Sequence, residues 1–456
     1  MVCDSVRLPR ETEYRDNGPM AQPVDLLIFP RWIVPVSPAG VLESHALAVK
    51  AGRIVDICPN EQAAGRFAAR ETVELPEHVL IPGLVNLHTH AAMSLFRGYG
   101  DDMPLMQWLT TRIWPAEQKT ASADFVRDGT LLACAEMLAS GTTCFNEMYF
   151  FPGAAADAAL DAGMRAALGM IVIDFPTSYA GDAEDYLNKG LAMRDRYKGE
   201  ERLSFTFAPH APYTVADDML GRIAVLAEQL DVPVHIHLHE TRQEIEDSLD
   251  KYKVRPLERI AAAGLLSPKL IAVHAIHLLD AEIETLAKYG CHIAHCSAAA
   301  LKLASGLPAV KKWLDAGINF GLGTDGAASN NRLDMFSEIR LAALLAKGIS
   351  GDATALPAAK ALEAATLDGA RALGLDAQIG SLEAGKWADM AAVDLSSLNT
   401  QPVFDPVSHL VYAAGREQVS HVWVGGELKY ANGRPTSINL PDLKARIAYW
   451  RDKLAT

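Results

Sequence analysis

Four apolar runs in this chain stop on a histidine or an aspartate, and that recurrence narrows the folds open to it. The run from Val79 ends in His88-Thr89-His90. An alternating stretch from Val234 carries His235, His237 and His239 and is followed by Glu240. A third run ends at His274, and a fourth leads through Gly323-Thr324 to Asp325. Residues two apart in a strand share a face, so His88 and His90 converge on one point. Strands that each deliver a polar group at their ends describe the catalytic face of a closed parallel barrel.

The rest of the pattern agrees. Residues 24–78 read as short strands and turns, with no long helical periodicity. From about 79 onward, apolar runs alternate with amphipathic helices, as βα units do. Barrel strands are expected at 83–90, 143–147, 165–173, 203–208, 232–238, 270–274, 292–295 and 318–324. Helices are expected at 122–140, closed by Gly141, at 217–229 and at 281–289. After 380 the β signals return, with a two-residue hairpin at Gly425-Gly426. The expected fold is α/β: a (β/α)8 TIM-like barrel with a small β-sandwich built from both terminal segments. Its parts are a disordered leader at 1–22, sandwich at 23–78, barrel at 79–380, sandwich at 381–436 and a C-terminal helix at 437–456.

A net charge of −14 without a compensating basic cluster disfavours nucleic acid and anionic membrane as partners. No apolar run reaches the length of a membrane span, and the N-terminal stretch lacks a signal-like apolar core, so a cytoplasmic location is expected. The six cysteines show no metal or disulfide spacing and read as free thiols. Cys296 follows His295, but no activating base accompanies it, and a buried structural role is the simpler reading.

His88, His90, His237 and Asp325 together make a three-histidine, one-carboxylate donor set. Core hydrogen bonds could account for one or two of these residues; four at strand ends would leave many buried polar groups to satisfy. Zinc suits such donors, with iron, manganese or nickel as alternatives. The fourth strand region, 203–211, has no lysine to bridge a second metal, so one ion is expected. Glu240 is a candidate general acid, His274 a candidate to hold the attacking water, and Asp325 a candidate proton acceptor besides a ligand. His210, in Ala208-Pro-His-Ala-Pro-Tyr213, is a candidate substrate contact. His235 reads as core packing behind His237 and His277 as support; His295 ends a strand near the site but is not assigned as a ligand, and His239 and His292 carry no assigned role.

These residues carry a resemblance. Pro82-Gly-Leu-Val-Asn-Leu-His88-Thr-His90, His237-Leu-His-Glu240, His274 and Leu322-Gly-Thr-Asp325-Gly resemble the single-metal aminohydrolases of the amidohydrolase superfamily, over about 24–434. Within that branch the segments His90–Gly98, Trp108–Glu117, Ala208–Tyr213 and Lys302–Gly306 look most like 5′-methylthioadenosine/S-adenosylhomocysteine deaminases. The resemblance implies hydrolytic loss of the adenine C6 amino group, with Glu240 protonating N1. It implies that Glu117 accepts hydrogen bonds from the ribose diol, that His210 contacts the nucleoside and that Trp108 lines the pocket. It also implies a homodimer or homotetramer and a small adenine-nucleoside substrate.

Two departures stand out. Where such relatives carry Pro and a polar pair ending in Asn, this chain has Ser297-Ala298-Ala299-Ala300. No arginine is assignable to a substrate carboxylate; Arg165, Arg194 and Arg196 are the candidates, and their weakness favours 5′-methylthioadenosine. The alternatives are an aminohydrolase or chlorohydrolase for another purine, pterin, cytosine or triazine, separated by whether ribose is required, and a non-catalytic scaffold, separated by metal content.

Overall fold

The computed structural model describes residues 21–455. Eight parallel strands form the barrel: β1 (Leu84–Thr89), β2 (Thr142–Glu147), β3 (Arg165–Val172), β4 (Leu203–Pro209), β5 (Val234–Leu238), β6 (Leu270–His274), β7 (His292–His295) and β8 (Phe320–Leu322). They pair in sequence order, each βα unit laying its strand beside the last.

The strand β8 is shorter than its apolar run because the seam with β1 is closed differently. Asn86 replaces ladder bonds there: its carbonyl accepts from Thr324 N (2.9 Å) and its amide donates to Thr324 Oγ1 (2.7 Å). Asp325 N then donates to the His88 carbonyl (3.0 Å). Two glycines permit this approach. A Cβ at Gly321 would meet Leu87 Cδ2 at 2.8 Å, and one at Gly323 would meet His88 N at 2.8 Å. The barrel interior is polar toward the site. His88 on β1 bonds His235 on β5 across 2.9 Å, and strands that are not neighbours can meet only through the middle.

The helix Ala123–Ala139 begins at its cap Ser122, whose Oγ accepts from Phe125 N, and Gly141 follows its end with φ +81°. Both terminal segments enter one nine-stranded sheet, not two separate ones. The strand Phe67–Pro82 runs through it, pairing in parallel with Gln22–Ile33 and antiparallel with Met390–Asp394. The two halves share one apolar core of Leu26, Ile28, Leu47, Met390 and Trp423, which gives the sandwich character. Phe67–Pro82 stays hydrogen-bonded in that sheet to its end, and the first barrel strand begins one residue further on, after Gly83. The hairpin at Gly425-Gly426 has both residues at positive φ, as a type I′ turn requires.

The helix Leu440–Ala455 packs on the barrel, where Trp450 Nε1 donates to Asp128. All but residues 21 and 22 of the expected leader lie outside the described residues, and Gln22 is paired with Phe67. Among the described residues, no helix is long and apolar enough to cross a membrane.

Candidate active site

The ends of β1, β5, β6 and β8 meet at the C-terminal mouth of the barrel and bring His88, His90, His237, His274 and Asp325 together. Two overlapping sets, His88/His237/His274 and His88/His90/Asp325, each hold one donor atom per residue within 4.8 Å of the others. The Nε2 atoms of His88 and His90 both stand 3.3 Å from Asp325 Oδ1.

The far ring nitrogens fix the tautomers. Nδ1–H of His90 donates to the Met148 carbonyl (2.5 Å), and Nδ1–H of His237 donates to the His210 carbonyl (2.7 Å). Each is thereby left an unprotonated Nε2, the form that binds a metal. His88 Nδ1 is engaged by His235, and its buried Nε2 has no hydrogen-bond partner among the described residues. Burial drives the His88 imidazole down to about 3 and lowers His90, His237 and His274 as well. Burial opposes ionisation of Asp325, but the imidazoles of His88, His90 and His274 around it hold it below the usual carboxylate range. Neutral imidazoles around one ionised carboxylate, with an orphaned ring nitrogen among them, fit a divalent cation. His274 and Asp325 sit in left-handed backbone (φ +69° and +61°), strain of a kind that collects at functional sites.

Glu240 stands just past β5, its carboxyl 3.9 Å from His274 Nε2. Burial and the charge of Asp325 push it up to about 8. It opens with His90, His237, His274 and Asp325 onto a cavity of about 790 Å³, within the range of small-molecule sites. Trp108, Glu117 and His210 line the same cavity, so every site residue expected from sequence borders it except His88, which lies behind. Desolvation raises Glu117 to about 7, moderated by the Tyr149 hydroxyl donating to its Oε1 at 2.7 Å. Trp108 and Trp114 flank a π-helical turn, Leu109–Ile113, in the segment covering the cavity.

Several contributors escaped sequence reading. Ser329 Oγ donates to Asp325 Oδ2 (2.8 Å), and Glu147 takes Ala91 N with both oxygens, anchoring the chain just after His90. His235, assigned only to packing, is the partner of His88. No local motif marks these; an isolated polar residue acquires meaning only from what the fold sets beside it. His295 bonds Ser297 Oγ, His277 bonds the Ser305 carbonyl, and His292 is joined to Asn319. None of the three lines the cavity, nor does any residue of 297–300. The three candidate arginines are elsewhere too: Arg165 pairs with buried Asp389, Arg194 lies by Asp195, and Arg196 stacks on Tyr197. Cys296 is buried and its thiol raised well above its ordinary value by burial, which leaves it unreactive.

A barrel with this donor set at its mouth defines a class, and the family comparison gives the same one. Residues 79–429 match the amidohydrolase family, a metal-dependent family to which the chain belongs. Within it the chain is one of the 5-methylthioadenosine/S-adenosylhomocysteine deaminases. Such deaminases from Saccharophagus degradans and Teredinibacter turnerae are each 47% identical to it, over 95% and 94% of this chain and 97% and 98% of theirs. The crystal structure of an adenosine deaminase from Xanthomonas campestris with bound zinc matches at a TM-score of 0.94 and 49% identity, covering 95% of this chain and 99% of that one. A triazine hydrolase variant shares the fold at a TM-score of 0.85 and 25% identity, over 93% and 99%. The protein is therefore a hydrolase that deaminates an adenine nucleoside, breaking a C–N bond of a cyclic amidine.

Proposed function

We propose that the preferred substrate is an adenine nucleoside with a small apolar thioether at C5′, as in 5′-methylthioadenosine, ahead of S-adenosylhomocysteine. The observation that carries this is the lining of the cavity. It includes Leu105, Ile113, Phe150, Ile171, Ile173 and Phe175 and, among the described residues, no lysine or arginine. An amino-acid carboxylate would enter without a counter-charge, and an unpaired buried charge is costly.

One zinc per subunit, held by His88, His90, His237 and Asp325, is the proposed metal; iron, manganese and nickel suit the same donors. When bound, such an ion acidifies water and supplies hydroxide near neutral pH. The chain's residues are then given these roles. Glu240, protonated at neutral pH by its raised pKa, delivers a proton to adenine N1 and draws electrons from C6. His274 orients the attacking water, and ionised Asp325 accepts its proton. Glu117 accepts from the ribose 2′- and 3′-hydroxyls, its other bond coming from Tyr149. Trp108 and His210 enclose the nucleoside. Paired buried hydroxyls discriminate strongly against free bases, which lack them.

The test is turnover of 5′-methylthioadenosine, S-adenosylhomocysteine, adenosine, adenine and guanine by metal-analysed protein, followed by the ultraviolet shift and ammonia release. The methylthio nucleoside should show the highest kcat/KM, with no conversion of the bases. Equal kcat/KM for S-adenosylhomocysteine would end the proposed preference, and turnover of bases would end ribose recognition. Glu240→Gln should lose activity by orders of magnitude at normal metal content; full activity would remove Glu240 from the chemistry.

A further inference from the structure

No neighbouring side chain holds the Glu240 carboxyl from the side. Among the described residues that carboxyl has no hydrogen-bond partner, and its one ion-pair contact is the 3.9 Å approach of His274. Its position is therefore set through its backbone.

That backbone is gripped by a second buried carboxylate. The helix Arg242–Tyr252 starts at Thr241, whose Oγ1 accepts from Glu244 N at 3.2 Å. Thr241 and Glu244 thus occupy the N-cap and N3 positions of a capping box, in which the N3 carboxylate ordinarily reaches back to the N-cap N–H. Here it reaches further. Glu244 Oε1 accepts from His239 N (3.0 Å) and Oε2 from Glu240 N (2.8 Å). His239, between them in the chain's turn, is held in left-handed backbone at φ +53°. Glu244 is 7% exposed and, among the described residues, no lysine or arginine pairs with it. An ordinary helix cap has no need to take the N–H groups on either side of a turn outside the helix. A clamp on the peptide that bears Glu240 does.

We propose that Glu244 is a positioning residue, fixing the origin and direction of the Glu240 side chain toward the substrate ring. This rests on the reading of Glu240 as the proton carrier. Displacement of a proton donor by about 1 Å costs on the order of 100-fold in rate, while ground-state binding of the nucleoside and the metal donors are untouched.

The experiment compares Glu244→Gln, Glu244→Ala, Glu240→Gln and Ser248→Ala in the full-length, metal-loaded enzyme, reading kcat, KM, metal stoichiometry and thermal midpoint. Glu244→Gln keeps one acceptor for two N–H groups, and its kcat should fall roughly 10-fold; Glu244→Ala should fall about 100-fold. KM should stay within about twofold and metal stoichiometry should not change. Ser248 caps nothing at the site: its hydroxyl donates to the Val254 carbonyl, just past the C-terminal end of the helix. Ser248→Ala should lower the midpoint with kcat intact, which separates helix stability from positioning. Wild-type kcat in the Glu244 variants, with Glu240→Gln inactive, would overturn the positioning role alone. Loss confined to KM or to metal content would overturn it too. A fully active Glu240→Gln would instead overturn the reading beneath it. If Glu244→Ala does not fold, Glu244→Gln decides.

Discussion

Glu117 shows how a single side chain couples binding to pH. Its carboxyl is raised to about 7 by desolvation in the cavity wall, against the lowering effect of the Tyr149 hydroxyl. The folded protein therefore holds a proton there that the unfolded chain has released. This contribution to stability is full below the ordinary glutamate range and is lost as pH rises toward and through about 7. Glu117→Gln, which keeps an acceptor for Tyr149 but cannot ionise, escapes the loss. Thermal midpoints of variant and parent, without substrate, should be close at pH 5, with the variant gaining relative to the parent by pH 8. Parallel curves across that window would show that Glu117 does not titrate there. At this scale the sequence was informative wherever a side chain sits in a repeating pattern. His88, His90 and His237 were legible as strand-end histidines by their spacing, whereas Glu244 and Ser329 look like any solvated polar residue until the turn beside each is formed.

The strand elements explain why the site tolerates so little change at its seam. The strands β1 and β8 are joined by Asn86 and by a close approach at Gly323 that leaves no room for a side chain. Gly323→Ala would place a methyl group 2.8 Å from His88 N and 2.9 Å from His88 Cβ. Overpacking of this kind costs about 1–3 kcal/mol, and relief must come by moving the strand that carries both His88 and His90. The expected result is a lower midpoint together with metal affinity weakened about 10-fold or more, measured by chelator competition. Unchanged metal affinity would mean that β1 yields without moving its ligands. The seam was partly visible beforehand. Sequence placed the eighth strand at 318–324, yet the ladder spans only Phe320–Leu322; beyond it the seam with β1 is held by the Asn86 side chain and a single backbone bond from Asp325 N to the His88 carbonyl. Hydropathy registers apolar runs; it is blind to which residue supplies the closing bond.

Across the whole molecule, the barrel and the terminal sheet are joined at the end remote from the cavity. Arg165, at the start of β3, donates through Nε to Asp389 at 2.6 Å, and both side chains are buried. Asp389 also accepts from Gly425 N in the sheet hairpin. Removing one partner of such a pair strands the other charge, at about 3–5 kcal/mol, while replacing both by apolar groups restores much of it. Arg165→Met should therefore lower the midpoint strongly, Arg165→Met with Asp389→Leu should recover most of it, and kcat of the folded fraction should hold in both. A fall in kcat that tracks the midpoint would show that the sheet governs the site. The chain's periodicities determined the barrel, the helices around it, the histidines at its strand ends and the terminal β layers, because each depends on short-range alternation of apolar and polar residues. Tertiary structure alone decided that both termini share one sheet, that the candidate arginines lie outside the cavity, and which polar groups hold the catalytic ones. Those outcomes rest on contacts between residues far apart in the chain, and no local pattern encodes such a distance.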